Sequence, residues 1–117
     1  MRHRESQLQI RCVSWFRYQY PQYVIMSTPN GGVRSKTEAA IMKAEGMLAG
    51  ASDLTIFADG RVLFVEMKTD KGRQSSAQKD FQRKVEGLGF RYVICRSLED
   101  FMEHVRTFIQ ALQPVNE

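Results

Sequence analysis

Hydrophobic positions along the chain switch between helical and strand periods several times. Leu8, Cys12, Trp15 and Phe16 recur at three- to four-residue spacing, while Glu5, Gln9, Arg11 and Arg17 fall largely elsewhere. This pattern predicts a helix over residues 5–19, stopped by Pro21. Residues 23–27 (YVIMS) are β-prone, and Thr28-Pro29-Asn30-Gly31-Gly32 reads as a loop. A second helix is expected over 36–48, weakened by Gly46 and stopped at Gly50. Residues 52–57 and 61–69 read as two strands joined by Asp59-Gly60, a favoured two-residue hairpin turn. A polar, basic loop over 70–75 leads to a helix over 76–88, with Phe81, Val85 and Leu88 on one face and Ser75 as its cap. Residues 90–95 form a fourth strand. A last helix over 98–112 has Ser97 as N-cap and Phe101, Val105, Phe108, Ile109 and Leu112 as its stripe.

The predicted order is α-β-α-β-β-α-β-α. It implies an α/β fold with a short mixed sheet flanked by helices. The third and fourth strands should be parallel, because a helix connects them. A chain of 117 residues fits one domain, taken as residues 1–113 with a frayed tail over 114–117. Trp15 and Phe16 are expected in the core; Tyr18 and Tyr20 are open between core and contact surface.

Composition narrows the function classes without choosing one. With 43% hydrophobic and 26% charged residues, the chain is an ordinary globule rather than a disordered or fibrous one. No run approaches the ~18 apolar residues of a membrane span, and the N-terminus lacks the apolar region of a signal peptide. A cytoplasmic protein of a bacterial or phage-infected cell, with no membrane partner, is the expectation. Cys12 and Cys95 match no metal or redox spacing and read as buried free thiols; with His3 and His104 as the two histidines, a His/Cys zinc site is not expected. The net charge of +4 favours an acidic partner such as nucleic acid, but weakly.

The sharper signal lies within Val62-Leu63-Phe64-Val65-Glu66-Met67-Lys68. Alternation places Leu63, Val65 and Met67 on one face, and Val62, Phe64, Glu66 and Lys68 on the other. That second face turns from apolar to charged along the strand. If the Asp59-Gly60 turn sets the register, Asp53 falls opposite Glu66. Two carboxylates this close need a cation, and hard oxygen ligands suit Mg²⁺ or Mn²⁺. Lys68 shares their face, and the Met67 backbone carbonyl is a further candidate ligand. A surface hairpin carrying a Glu-Lys pair and an unrelated aspartate is the plain alternative.

Asp53 followed by Glu66-Met67-Lys68 resembles the core of the PD-(D/E)xK nucleases. The surrounding pattern is more specific: Glu5 in the first helix, Pro29-Asn30-Gly31-Gly32, Gly46, Gly50-Ala51-Ser52-Asp53-Leu54, Phe64 through Thr69, Gly72-Arg73-Gln74-Ser75 and Gln78. Over residues 3–105 it is similar to the virus-type replication-repair nuclease (VRR-NUC) domain, in its compact stand-alone form. The proline that usually precedes the aspartate is Ser52 here. The resemblance implies a restriction-endonuclease-like fold with Asp53, Glu66 and the Met67 carbonyl on the metal, and Glu5 completing the site, directly or through water. Lys68 would be the catalytic lysine and Gln78 the motif glutamine on the following helix.

The implied activity is a Mg²⁺- or Mn²⁺-dependent, structure-selective endonuclease. It would act as a homodimer on branched DNA, cleaving four-way (Holliday) junctions through metal-activated water. Cleavage of flaps or other branched DNA, and a catalytically silent DNA-binding module with the same fold, are the alternatives. A sequence-specific restriction-type enzyme would need loops that a chain this short barely provides. Gln9, Asn30, Arg34, Lys36, Lys71 and Arg73 are candidate DNA contacts, with Arg2, Arg4 and Arg11 adding charge near Glu5. Glu5 also fits a first-turn glutamate favoured by the helix dipole, and Gln78 fits a solvated helix residue.

Overall fold

The computed structural model describes residues 2–29 and 35–111, with side chains from Arg4 onward. Asn30, Gly31, Gly32, Arg34, Leu112 and the tail lie outside the described residues, as does the side chain of Arg2. The elements follow the expected order: α1 (Arg2–Gln19), β1 (Val24–Ser27), α2 (Lys36–Ala44), β2 (Leu54–Ala58), β3 (Arg61–Met67), α3 (Ser76–Gly87), β4 (Arg91–Cys95) and α4 (Leu98–Gln110).

The four strands form one sheet in the order β1-β2-β3-β4. The first two pairings are antiparallel and the last is parallel. Asp59 and Gly60 both take positive φ, so the β2–β3 connection is a two-residue turn that pairs Ala58 with Arg61. The register then runs to Leu54 opposite Val65.

Period-two alternation gives the sheet two different faces. Ile25, Leu54, Ile56, Leu63, Val65, Met67 and Cys95 join Leu8, Cys12 and Phe16 of α1 and Phe101, Val105, Phe108 and Ile109 of α4 in the core. Trp15 and Tyr20 are partly buried against this core, whereas Tyr18 is exposed. The opposite face is covered over β3 and β4 by α3: the Phe81 ring meets Phe64 edge-on and packs beside Tyr92. The resulting layers are α1 with α4, then the sheet, then α3.

Two glycines shape what the periodicity left open. The second helix ends at Ala44, four residues before the expected boundary, because Gly46 takes a φ of +112°. The Met47 N–H then bonds back to Met42 O and turns the chain out of the helix. Gly50 has a φ of +84°, and a Cβ there would stand 2.3 Å from the carbonyl oxygen of Ala77 in α3. The segment entering β2 therefore runs backbone-to-backbone against the first turn of α3. Gly50→Ala is expected to cost about 2–4 kcal/mol in denaturant unfolding, combining backbone strain with a steric clash. Gly46→Ala, which meets no atom within 4 Å, should cost nearer ~1 kcal/mol. Equal losses at the two positions would mean that the approach to α3 is not what Gly50 provides.

Candidate active site

Asp53 sits one residue before β2, where its backbone and side chain are both held. Its carbonyl accepts from the Thr28 N–H at 2.9 Å, and its Oδ2 accepts from the Met67 N–H at 2.7 Å. The second bond ties Asp53 across the hairpin to the end of β3, beside Glu66. Ser52, where a proline was expected by resemblance, is buried, and its hydroxyl donates to Leu54 O at 3.1 Å. The hydroxyl is satisfied locally, so the substitution leaves Asp53 in place.

Glu66 is only 1% exposed. Its Oε2 accepts from Gln78 Nε2 at 2.7 Å and lies 3.7 Å from Lys68 Nζ; its Oε1 accepts from the Tyr92 hydroxyl at 3.3 Å. Burial, followed by the nearby Asp53 carboxylate, pushes the Glu66 pKa up to about 8. Lys68 and the Tyr92 hydrogen bond pull the other way without cancelling this. The Lys68 side chain is itself mostly buried. Gly72 leaves room for its stem, since a Cβ there would come within 3.2 Å of Lys68 Cδ.

Gln78 has two tasks, and together they fix its amide orientation. Its Oε1 accepts from the Ser75 N–H at 2.8 Å while its own N–H donates to Ser75 Oγ, which is the capping box of α3. With the oxygen so engaged, the NH₂ group must face Glu66.

Tyr92 and Gln74 were missed as members of this cluster. Gln74 Nε2 bridges Tyr92 Oη at 3.2 Å and Gln82 Oε1 at 2.9 Å, so the tyrosine proton is left for Glu66. Alternation within β4 alone did not mark Tyr92, which shares the face of Glu66 because parallel pairing sets it beside Phe64.

The loop after Lys68 is held from β4. Arg96 Nη1 donates to the carbonyls of Thr69, Asp70 and Gly72 at 2.9, 3.3 and 2.8 Å. Lys71 and Arg73 line a groove of about 680 Å³ with Lys79 and Arg96, which spacing did not single out. Gln9 lines a different groove, of about 440 Å³, between α1 and β1; it ends at Ser27, next to the Thr28 that bonds Asp53. Glu5 is half-buried on α1, and among the described residues no hydrogen bond or ion pair joins it to Asp53, Glu66 or Lys68. Lys36 is exposed at the start of α2, and likewise no hydrogen bond or ion pair joins it to the cluster among the described residues.

The donor set fits a divalent cation. Asp53 and Glu66 bring two carboxyl groups together, and Glu66 holds up to about pH 8 a proton that a cation would displace. Asp53 and Glu66 would hold such an ion, with the Met67 carbonyl beside them, and hard oxygen donors select Mg²⁺ or Mn²⁺.

No curated protein matches the sequence. Among solved structures, a VRR_NUC domain protein superposes with a TM-score of 0.73 at 24% identity, covering 91% of this chain and 88% of the other. The profile of the VRR-NUC domain, a nuclease-type domain, matches residues 3–99. The chain belongs to the VRR-NUC family.

Proposed function

We propose that the protein is a metal-dependent endodeoxyribonuclease that cuts branched DNA, four-way junctions first, as a homodimer. The observation that carries this reading is the cluster of Asp53, Glu66 and Lys68 at one sheet end, with Glu66 held by Gln78 and Tyr92 and Asp53 by the Met67 N–H. A divalent cation there supplies charge for the scissile phosphate and lowers the pKa of a bound water. The chain's own groups do the rest. Asp53 and Glu66 set the position of the cation, and Gln78 and Tyr92 keep the Glu66 carboxylate from rotating. The Lys68 ammonium faces the reacting centre and stabilises negative charge there. Lys71, Arg73 and Lys79 give the flanking groove the sign that a phosphate backbone requires. A silent scaffold would have no reason to bury Glu66 beside Asp53, an arrangement that is unfavourable without a cation.

The dimer is supported by apolar side chains that this chain leaves uncovered. Helix α2 has no buried residue; Ile41, Met47 and Leu48 are exposed on it and just after it, as are Val24, Met26 and Phe57 on β1 and β2. A two-fold partner would cover apolar surface of this kind and supply a second site for the opposing strand. The test is cleavage of an end-labelled four-way junction beside linear duplex, with Mg²⁺, Mn²⁺ or EDTA, and sedimentation of the same preparation. Paired cuts in the junction, an uncut duplex, no cutting in EDTA and a dimer are expected. Equal cutting of duplex would remove the junction preference, and a monomer that makes paired cuts would remove the dimer.

A further inference from the structure

A second cluster of ligand-bearing side chains lies on the other face of the sheet. Cys95 pairs with Met67 in the parallel register, so both point into the core while Glu66 points away. The chain then enters α4, and its first two turns carry Asp100 and His104 on one side at i,i+4 spacing. One ligand atom from each of Cys95, Asp100 and His104 lies within 4.8 Å of the others. Spacing along the chain argued against a His/Cys zinc site because it offered no second cysteine or histidine nearby. The fold supplies a carboxylate as the third donor.

Four features make this more than proximity. Asp100 Oδ1 stands 3.4 Å from His104 Nε2, long for a hydrogen bond. It is about the separation of two ligands that each sit ~2.0–2.1 Å from one tetrahedral zinc ion. The other Asp100 oxygen accepts from the Arg96 N–H at 3.0 Å, which fixes the carboxylate in the way metal ligands are usually fixed. Cys95 is fully buried, and no hydrogen bond engages its Sγ among the described residues. The side chains of His104 and Asp100 are 39% and 36% exposed, so an ion can enter from solvent on that side.

We propose that Cys95 Sγ, Asp100 Oδ1 and His104 Nε2 bind one zinc ion, with water as fourth ligand. On binding, the thiol gives its proton to solvent and the sulfur lone pair forms the metal bond. Burial and the Asp100 carboxylate hold the free thiol's pKa well above its usual value, and a cation offsets the second of these directly. One thiolate and one imidazole select zinc over Mg²⁺ and Mn²⁺ at this site. The ion would join the end of β4 to the start of α4.

Zn²⁺ binding is measured by competition with a chromophoric chelator, and Co²⁺ is used as a spectroscopic substitute. With Mg²⁺ in large excess to occupy the Asp53 and Glu66 site, one equivalent is expected, in the parent and equally in Asp53→Asn, with a tetrahedral cobalt spectrum that includes thiolate-to-metal charge transfer. Zn²⁺ should raise the melting temperature of both. Cys95→Ser and His104→Gln should each weaken binding roughly 100-fold or more and abolish the thermal shift. His104 is at a half-exposed helix position, so its variant retains the fold even if a core change at Cys95 does not. Cobalt bound without the charge-transfer band, unchanged affinity in His104→Gln, or loss of binding in Asp53→Asn would each overturn the proposal.

Discussion

Asp53→Asn is expected to abolish cleavage while leaving the metal-free protein as stable as the parent, or a few degrees more stable. The asparagine oxygen can still accept from the Met67 N–H that Asp53 Oδ2 binds now. Its NH₂ group would face Glu66 and donate a hydrogen bond to it, removing the carboxylate that now raises the Glu66 pKa. Binding of the cation requires the charge that is lost, so turnover on branched DNA should fall by at least ~1,000-fold. On the proposed function, in which the lysine acts on the reaction and not on the ion, Lys68→Ala should fall by roughly 100- to 10,000-fold while metal still binds. Thermal melts in EDTA, metal titrations and single-turnover cleavage of the three proteins separate these effects. If Asp53→Asn cuts as well as the parent, the assigned site is wrong. If it instead melts far below the parent, Asp53 is a structural residue.

Metal affinity should rise about tenfold per pH unit up to about pH 8 and then level off, because the cation must displace the proton that Glu66 holds. The folded pKa of about 8 lies above the ordinary carboxyl value of 4.5, owing to burial and then to Asp53. Between those two values the folded protein binds more protons than the unfolded chain. Metal-free stability is therefore highest below about pH 4.5, as far as this group is concerned, and declines as pH rises through about 8. Saturating Mg²⁺ or Mn²⁺ should reverse that slope. Titration calorimetry at pH 7 in buffers of different ionisation enthalpy should register close to one proton released per metal. Glu66→Gln should flatten both profiles. Affinity independent of pH between 6 and 8 would show that the carboxyl is already ionised without metal.

Most of what positions the cluster was legible in local chemistry. The Asp59-Gly60 turn and the alternation through Val62–Lys68 set a register in which Asp53 approaches Glu66, and the hairpin has that register. Ser75 and Ser97 cap their helices as their types and positions suggested. What could not be read depends on distant parts of the chain meeting. Tyr92 in FRYVIC looks like any buried aromatic until parallel pairing sets it beside Phe64 and within reach of Glu66. Gly50 looked like a helix stop, but its reason is the backbone of Ala77 from a helix that starts 26 residues later. Glu5 marks the opposite limit. Resemblance places it at the metal, whereas at its half-buried position on α1 no hydrogen bond or ion pair joins it to the cluster among the described residues.

The Arg96 clamp and the Gln78 cap have a consequence for how this protein can change. Surface loops ordinarily absorb insertions and deletions, and new binding preferences often arise that way. Here the segment from Thr69 to Gln74 is fastened at its start by three carbonyls on one guanidinium and at its end by a glutamine that also grips Glu66. A residue added or removed there would rotate the first turn of α3 and pull the carboxylate with it. The side chains that this segment presents can change freely, whereas a change in its length would disturb the hydrogen bonds that hold Glu66.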